Sequence, residues 1–215
     1  MMPISENVFD NVMKQMIGLC KPEAVLDIGP GAGKYGRMLC DIENETGRAI
    51  HKICIEIDEA KIIKRFNLHS IYNEVINEDA ATIVKRYSSL TGDLAIAGDV
   101  IEHLTKSDGV DLIEYLQYRF KYIFLVIPVD WISYSFEDYD YESHVSIWRT
   151  SDIQKFEGGY CVERLIDSRK KFLLCSINGL TIPAKDHFVV RNKNKEVTGQ
   201  ALFYEADLEF GFLNC

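Results

Sequence analysis

Four groups of residues in this chain have the types and spacing to do chemistry. The densest is Asp27-Ile-Gly29-Pro-Gly31-Ala-Gly33, an acid followed by glycine at every second position. Glycine enters backbone conformations closed to other residues and lets the main chain come close to a ligand, so this run makes a tight turn able to cradle a nucleotide-like molecule. Glu56, followed by Ile57, closes a later apolar run; an acid there can accept hydrogen bonds from both hydroxyls of a ribose. Asp79-Ala80 offers a carboxylate for an adenine amino group and an N–H for a ring nitrogen, although Asp79 serves equally well as a helix N-cap. The fourth group, Gly98-Asp99-Val-Ile-Glu102-His103 with His144 downstream, gathers acids and imidazoles, which can accept a proton or hold a divalent ion.

The elements that must position these groups are legible from apolar periodicity. Ala24 to Ile28 is a short β-branched run that reads as a buried strand, and Tyr35, Met38, Leu39 and Ile42 then recur at helical spacing until Gly47. Strand, glycine turn and helix in succession are the start of an α/β sheet that presents a helix N-terminus to its ligand. Before it, residues 5 to 20 form a helix capped by Ser5, with Val8, Phe9, Val12, Met13, Met16 and Ile17 on one face. Further strands are expected over 50–57, 71–76, 93–98 and 122–127. A helix from Asp58 carries Ala60, Ile63, Phe66 and Leu68, another runs to about Leu90, and a third spans about 107–118.

Two ligands compete for the glycine turn. Gly31, Gly33 and Gly36 fit the G-x-G-x-x-G dinucleotide pattern, with Glu56 at the distance that pattern asks. The other register, Asp27-x-Gly29-x-Gly31-x-Gly33, resembles motif I of class I S-adenosylmethionine (SAM) methyltransferases. Charge favours the second, because Asp27 beside a pyrophosphate would set like charges together. SAM carries a sulfonium and an ammonium, which an acid attracts. A glycine turn that binds nothing is the plain alternative.

Composition narrows the rest. A chain of 215 residues suits one α/β domain, and 47% hydrophobic residues can fill a core without help from a metal. The formal charge of −9 repels phosphate backbones, which argues against nucleic acid as partner. The six cysteines form no C-x-x-C pair; Cys54 and Cys175 lie in strand patterns as buried thiols. The longest apolar run, Tyr122 to Val129, is far short of the roughly 20 residues that span a bilayer. No stretch reads as a signal peptide, so the expectation is a reduced, cytoplasmic protein without membrane contact.

From Val129 to Arg149 the texture changes: Trp131, Tyr134, Phe136, Tyr139, Tyr141 and Trp148 alternate with Glu137, Asp138, Asp140 and Glu142. So long a loop is commonly a lid, and an acidic aromatic surface suits a polar or cationic organic acceptor. The alternative is a loop packed onto the sheet by its own rings. After a short helix over 151–156, a hairpin pairs 160–166 with 171–177. The tail offers one more, Phe188 to Val190 with Ala201 to Tyr204.

Taken together, LDIGPGAGKYG, CIEID, NEDAA, GDLAIAGDVIEHL and YIFLVIP resemble, in order, the successive motifs of class I SAM-dependent methyltransferases over residues 24 to 128. The closest resemblance is to small bacterial and archaeal enzymes with a GKYG turn and a DVIEHL segment; ESHVSIW, residues 142–148, resembles their loop after strand five. The resemblance implies a Rossmann-like, seven-stranded doubly wound α/β sheet of order 3-2-1-4-5-7-6, with strand 7 antiparallel. That sheet sits in a single domain, residues 1–215, with a cofactor half over 1–128 and an acceptor half beyond, ending in a C-terminal extension.

The resemblance also implies SAM as cofactor. Asp27, Gly29, Gly31 and Gly33 would hold its methionine end, Glu56 and Ile57 the ribose side, Asp79 and Ala80 the adenine, and Gly98 with Asp99 the sulfonium side. The reaction would be in-line methyl transfer to oxygen or nitrogen of a small polar acceptor. Asp99, His103 and His144 are the candidate proton acceptors. Asp99, Glu102, His103 and His144 also resemble the metal cluster of small-RNA 2′-O-methyltransferases and some quinone-pathway O-methyltransferases. The same D-x-x-E-H form occurs in metal-free methyltransferases, and the acidic lid opposes RNA, so the expectation is a metal-free small-molecule enzyme. A metal-assisted O-methyltransferase and a catalytically silent interaction module are the alternatives.

Overall fold

The computed structural model describes residues 7–129, 143–165, 171–192 and 208–213. Within these, helix α1 (Asp10–Cys20) leads into β1 (Ala24–Ile28), α2 (Lys34–Thr46) and β2 (His51–Glu56). Then come β3 (Glu74–Asn77), α3 (Ala80–Arg86), β4 (Gly92–Gly98), α4 (Lys106–Arg119) and β5 (Phe120–Pro128). After residue 143 the chain adds a one-turn helix α5 (Thr150–Ile153), β6 (Gly159–Leu165), β7 (Lys171–Asn178), β8 (Phe188–Asn192) and β9 (Leu208–Phe212).

Seven strands form one sheet in the order β3-β2-β1-β4-β5-β7-β6, as the resemblance implied. The pairs from β3 to β5 are parallel, while β7 is antiparallel to both β5 and β6. Alternate residues of the central strands serve opposite faces. Val25, Leu94, Ile96, Phe124 and Leu174 meet α1 and α2, while Leu26, Ala95, Ala97, Ile123, Leu125 and Leu173 meet α3, α4 and α5. A parallel sheet covered on both faces needs this near-continuous apolar run, and β5 supplies it with five successive buried residues, Ile123 to Ile127.

Four expectations are corrected in detail. The first helix begins at Asp10, with Phe9 at its N-cap and no side-chain cap; Ser5 lies outside the described residues. The segment after Asp58 is not one helix. It is a π-helical turn, Glu59–Lys64, capped by the Asp58 carboxylate, then a 3₁₀ turn, Leu68–Ser70, with Asn67 in the left-handed region (φ 50°) between them. Strand β3 starts at Glu74 because Ile71 and Tyr72 turn inward onto Cys54, Ile62, Ile63 and Leu68. Finally, β8 does form, but it pairs with β9, Leu208–Phe212; residues 201–204 lie outside the described set.

The described part of the C-terminal extension covers the core. Phe188, Val190 and Leu208 join the apolar cluster under α1, and Asn178 ties β7 to β8 by accepting the Phe188 N–H (2.7 Å) and donating to the Phe188 carbonyl (2.9 Å). Cys54 and Cys175 are buried free thiols. No described helix is long and apolar enough to cross a membrane.

Candidate functional site

The carboxyl ends of β1, β2 and β4 gather most of the residues singled out by the sequence. Beyond β1 the chain turns through Gly29, Gly31 and Gly33, whose φ values of 62°, 52° and 79° all lie in the left-handed region. Side chains are strained there, and main-chain bonds fix the turn: Gly29 N–H donates to the Ile55 carbonyl of β2 (2.9 Å), and within the turn Gly33 N–H donates to the Pro30 carbonyl (2.8 Å). Gly33 is also the N-cap of α2, and it brings no side chain to the helix N–H groups. The turn thus offers main-chain donors at the positive end of a helix dipole.

Asp27 lies beneath this turn rather than in its mouth. It is 1% exposed, and its Oδ2 accepts the hydroxyl of Tyr72, whose oxygen in turn accepts the Gly36 N–H of α2 (3.1 Å). Its Oδ1 has no hydrogen-bond partner among the described residues. Burial pushes the Asp27 carboxyl up to about 7, against the Tyr72 and Gly36 hydrogen bonds, which pull it down. Tyr72 belongs to no motif, and sequence reasoning gave it no role. The chain Asp27–Tyr72–Gly36 joins β1, the approach to β3 and α2, and so fixes the turn from three sides.

Glu56 stands at the end of β2 and is buried. Its Oε1 accepts the Asp58 N–H (3.1 Å), and the N–H groups of Gly31 and Ile57 also hold its charge, while burial raises its pKa above the ordinary carboxylate value. The carboxylate therefore faces the glycine turn across the gap between β1 and β2. Asn77 braces the same strand end, its Nδ2 donating to the carbonyls of Glu56 (2.8 Å) and Ile57 (2.9 Å). Ile57 itself is an exposed large apolar residue beside the acid, 44% accessible. Asp79 is the N-cap of α3, its Oδ1 accepting the Ala81 N–H (2.9 Å); Ala80 opens that helix. Both expected roles of Asp79 are compatible, because Oδ2 is not needed for the cap.

At the end of β4, Gly98 fits against Tyr35, whose ring would lie 2.6 Å from an added Cβ. Asp99 takes up a left-handed φ of 55°, uncommon outside glycine, and its N–H donates to the Val126 carbonyl of β5 (2.9 Å). A 3₁₀ turn, Ile101–His103, follows. Residues 143–148 lie on that turn: Val145 and Ser146 N–H groups donate to the Glu102 carbonyl (2.8 and 3.1 Å), and the Trp148 indole donates to the Ile101 carbonyl (3.2 Å) and to Ser146 Oγ (2.9 Å). Lys106 Nζ sits 3.6 Å from the Trp148 ring centroid and donates to the Ile147 carbonyl (2.8 Å).

Trp148, read as part of an acceptor-facing loop, is instead fully buried against Gly109, Leu112 and Ile153 on the α4 side of the sheet. This end of the loop is packed by its own ring, the alternative the sequence left open. Residues 130–142, with Trp131 and the acidic aromatic run, lie outside the described residues.

The same docking brings His144 against His103 in an edge-on contact, ring centroids 4.9 Å apart. Donor atoms of Glu102, His103 and His144 all lie within 4.8 Å of one another; Asp99 is not in that group. Burial lowers the pKa of His144 below the ordinary imidazole value, which favours its neutral form.

A nucleoside cofactor with a cationic end fits this arrangement on structural grounds. The glycine turn sets the N-terminus of α2 at the site with no side-chain cap, Glu56 faces the turn through the Gly31 N–H, an apolar surface stands at Ile57, and Asp27 keeps one acceptor oxygen below. At the end of β5, a cleft of about 450 Å³ is lined by Val129 and by Arg149, Thr150, Ser151, Glu163 and Lys171, a lining of mixed polarity and charge.

No protein-family model matches the sequence, and the search of curated proteins finds no match. Solved structures do resemble the fold. The N-terminal domain of EvdMO1, solved with S-adenosylhomocysteine (SAH) bound, is 12% identical with a TM-score of 0.59 over 79% of this chain and 80% of that one. The plantazolicin methyltransferase BamL, in complex with a triazolic desmethylPZN analogue and SAH, is 14% identical with a TM-score of 0.54, over 81% of this chain and 85% of that one. A SAM-dependent methyltransferase from Archaeoglobus fulgidus is 16% identical with a TM-score of 0.54, over 79% and 92%. The chain therefore has the Rossmann-like fold of SAM-dependent methyltransferases.

Proposed function

We propose that the protein is a SAM-dependent methyltransferase acting on oxygen or nitrogen of a small polar organic acceptor. The observation that carries this reading is the pairing of the Gly29–Gly33 turn with the Glu56 carboxylate across the β1–β2 gap, in a fold whose solved relatives hold SAH. In this reading Glu56 accepts the ribose hydroxyls, Ile57 covers the adenine face, and Asp79 Oδ2 with the Ala80 N–H takes the adenine edge. The main chain from Gly29 to Gly33 binds the methionine end. Asp27 acts there through the turn it braces, and its remaining oxygen attracts an ammonium. Gly98 and Asp99 border the sulfonium side.

When bound, SAM supplies a methyl group on a positively charged sulfur. The chain must then align an acceptor, exclude water and, where the acceptor carries a proton, remove it. Asp99, His103 and His144 are the groups at the β4 end able to accept that proton, and burial favours the neutral form of His144 that such a role needs. The mixed-charge cleft at the end of β5 supports a small polar acceptor. The test is incubation with methyl-labelled SAM and a panel of hydroxylated and amino-bearing small molecules. Label transferred to at least one acceptor supports the assignment. Tight SAM binding with no transfer to any acceptor class would instead indicate a silent interaction module.

A further inference from the structure

We propose that Cys161 and Cys175 form an oxidation site, a pair of thiols that a peroxide converts reversibly into a cross-strand disulfide between β6 and β7. The two residues stand directly opposite one another in the antiparallel pair. Both are free thiols on the face of the sheet that packs against α4 and α5, Cys175 fully buried and Cys161 partly exposed.

Register decides whether such a pair can bond. Asn178 N–H donates to the Gly158 carbonyl (3.2 Å), which makes Gly158 and Asn178 a hydrogen-bonded pair. Along an antiparallel ladder such pairs alternate with non-hydrogen-bonded ones, so Cys161 and Cys175 fall on a non-hydrogen-bonded pair. The other edge of β7 agrees. Val129 N–H donates to the Lys171 carbonyl and Gly179 N–H to the Lys121 carbonyl, and the same alternation turns the main-chain groups of Cys175 towards β5. Cα atoms of a non-hydrogen-bonded pair stand about 4.5 Å apart, inside the roughly 4.4–6.8 Å that a disulfide spans, and their side chains lie close. Among the described cysteines no other two are opposed on paired strands; Cys54 of β2 faces Asp27 and Val75.

The two sulfurs take different parts in the reaction. A hydrogen bond from the Cys175 thiol holds Cys161 below its ordinary pKa against the opposing effect of burial, while burial pushes Cys175 well above its own. Cys161 is therefore the thiolate that meets the oxidant, and Cys175 the thiol that resolves it. The Cys161 sulfur attacks one peroxide oxygen and becomes S–OH; the O–O bond breaks, and the other oxygen leaves as water. The Cys175 sulfur then attacks the Cys161 sulfur, and its proton departs with the hydroxyl as a second water. The two thiols give up two electrons and two protons, and the peroxide takes them up. A thiol reductant reverses the bond by exchange. In a reducing compartment such a bond is transient and reports oxidation. The pair adjoins the cleft at the end of β5: Cys161 Sγ lies 3.9 Å from the Thr150 carbonyl, and Glu163 follows two residues along the same face of β6. Oxidation thus ties the two strands together at the cleft wall, and it requires neither SAM nor an acceptor.

The experiment treats the folded full chain, without SAM and at low protein concentration, with a small excess of hydrogen peroxide. Remaining thiols are alkylated and the digest is mapped by mass spectrometry without reduction. A linked Cys161–Cys175 peptide should appear, two of the six thiols should be lost, and dithiothreitol should restore both. In Cys175→Ala the bond cannot close, and dimedone should trap the S–OH on Cys161. Cys161→Ser should slow the consumption of thiols by peroxide roughly tenfold or more, whereas Cys54→Ala should react as the wild type does. Bridges to other cysteines in place of this one, disulfide-linked dimers, irreversible sulfinic acid at Cys161, or six persistent thiols would each overturn the proposal. The wild-type peptide map decides the matter even where a variant fails to fold.

Discussion

The two ends of the site are built by opposite means. Around β1 and β2 the cradle is almost continuous in sequence: the turn, the helix it opens and the facing acid fall within residues 27–56, positioned by strand pairing and glycine dihedrals. Beyond β4 the cluster is assembled at long range, from a 3₁₀ turn and a segment that returns forty residues later to dock on it. The first end is fixed by backbone geometry, so it breaks when a side chain intrudes. The second depends on docking, so it loosens when an anchoring bond is removed.

The largest effect should come from intruding on the first end. Gly31→Val places a branched side chain at a φ of 52° in the cradle and should abolish SAM binding, at least a hundredfold by calorimetry. Gly47→Ala is its control: that glycine has a φ of 68° with nothing within 4 Å of an added Cβ, so it shares the backbone strain but not the site. Equal loss of binding in both variants would show strain, not the cradle, to be responsible.

Next is Glu56→Ala, expected to weaken SAM by roughly 1.5–3 kcal/mol, the range for hydrogen bonds to a charged group. An unchanged Kd would move the ribose role to Asp58, whose carboxylate here caps the turn after β2. Tyr72→Phe tests the brace below. It leaves a buried carboxylate oxygen and the Gly36 N–H without their partner, at a cost of roughly 1–3 kcal/mol of stability in denaturant melts. A wild-type melting profile would remove Tyr72 from the account.

How much of this could be read from sequence follows the same division. The positions of Asp27, the glycines, Glu56 and Asp79 in the fold, though not their roles, were legible because local rules set them: apolar runs mark the strands, and an acid at a strand end is placed by the strand. The order of the seven strands came from motif resemblance, not periodicity, since pairing between distant strands leaves no local trace. Tyr72 and Trp148 were not legible in their roles. A tyrosine that turns inward before a short strand, and a tryptophan that leaves an acidic loop for the core, are decided by tertiary packing. The helix expected after Asp58 failed for a related reason: its apolar spacing was helical, but Asn67 in the left-handed region stops it.

Asp27 also carries a pH signature that its carboxamide lacks. Its folded pKa of about 7 lies above the ordinary value of 3.8, so the folded state holds this proton more tightly than the unfolded chain. Its contribution to stability is full below about pH 4 and is lost as pH rises through 7. Asp27→Asn should therefore gain on the wild type across that interval, by on the order of a few kcal/mol at most. Parallel stability curves for the two proteins between pH 4 and 7 would contradict the burial argument. The smallest effect belongs to the second end. Trp148→Phe keeps an apolar ring in place but loses the indole bonds to Ile101 and Ser146, at about 1 kcal/mol, and should leave SAM affinity untouched.

The central claim is that the glycine turn and Glu56 form a SAM cradle and not a dinucleotide site. Calorimetric titration of the wild-type protein with SAM, SAH and NADH tests it most directly. The account predicts one site of micromolar affinity for SAM and SAH, and no binding of NADH. Binding of NADH with no response to SAM or SAH would contradict it.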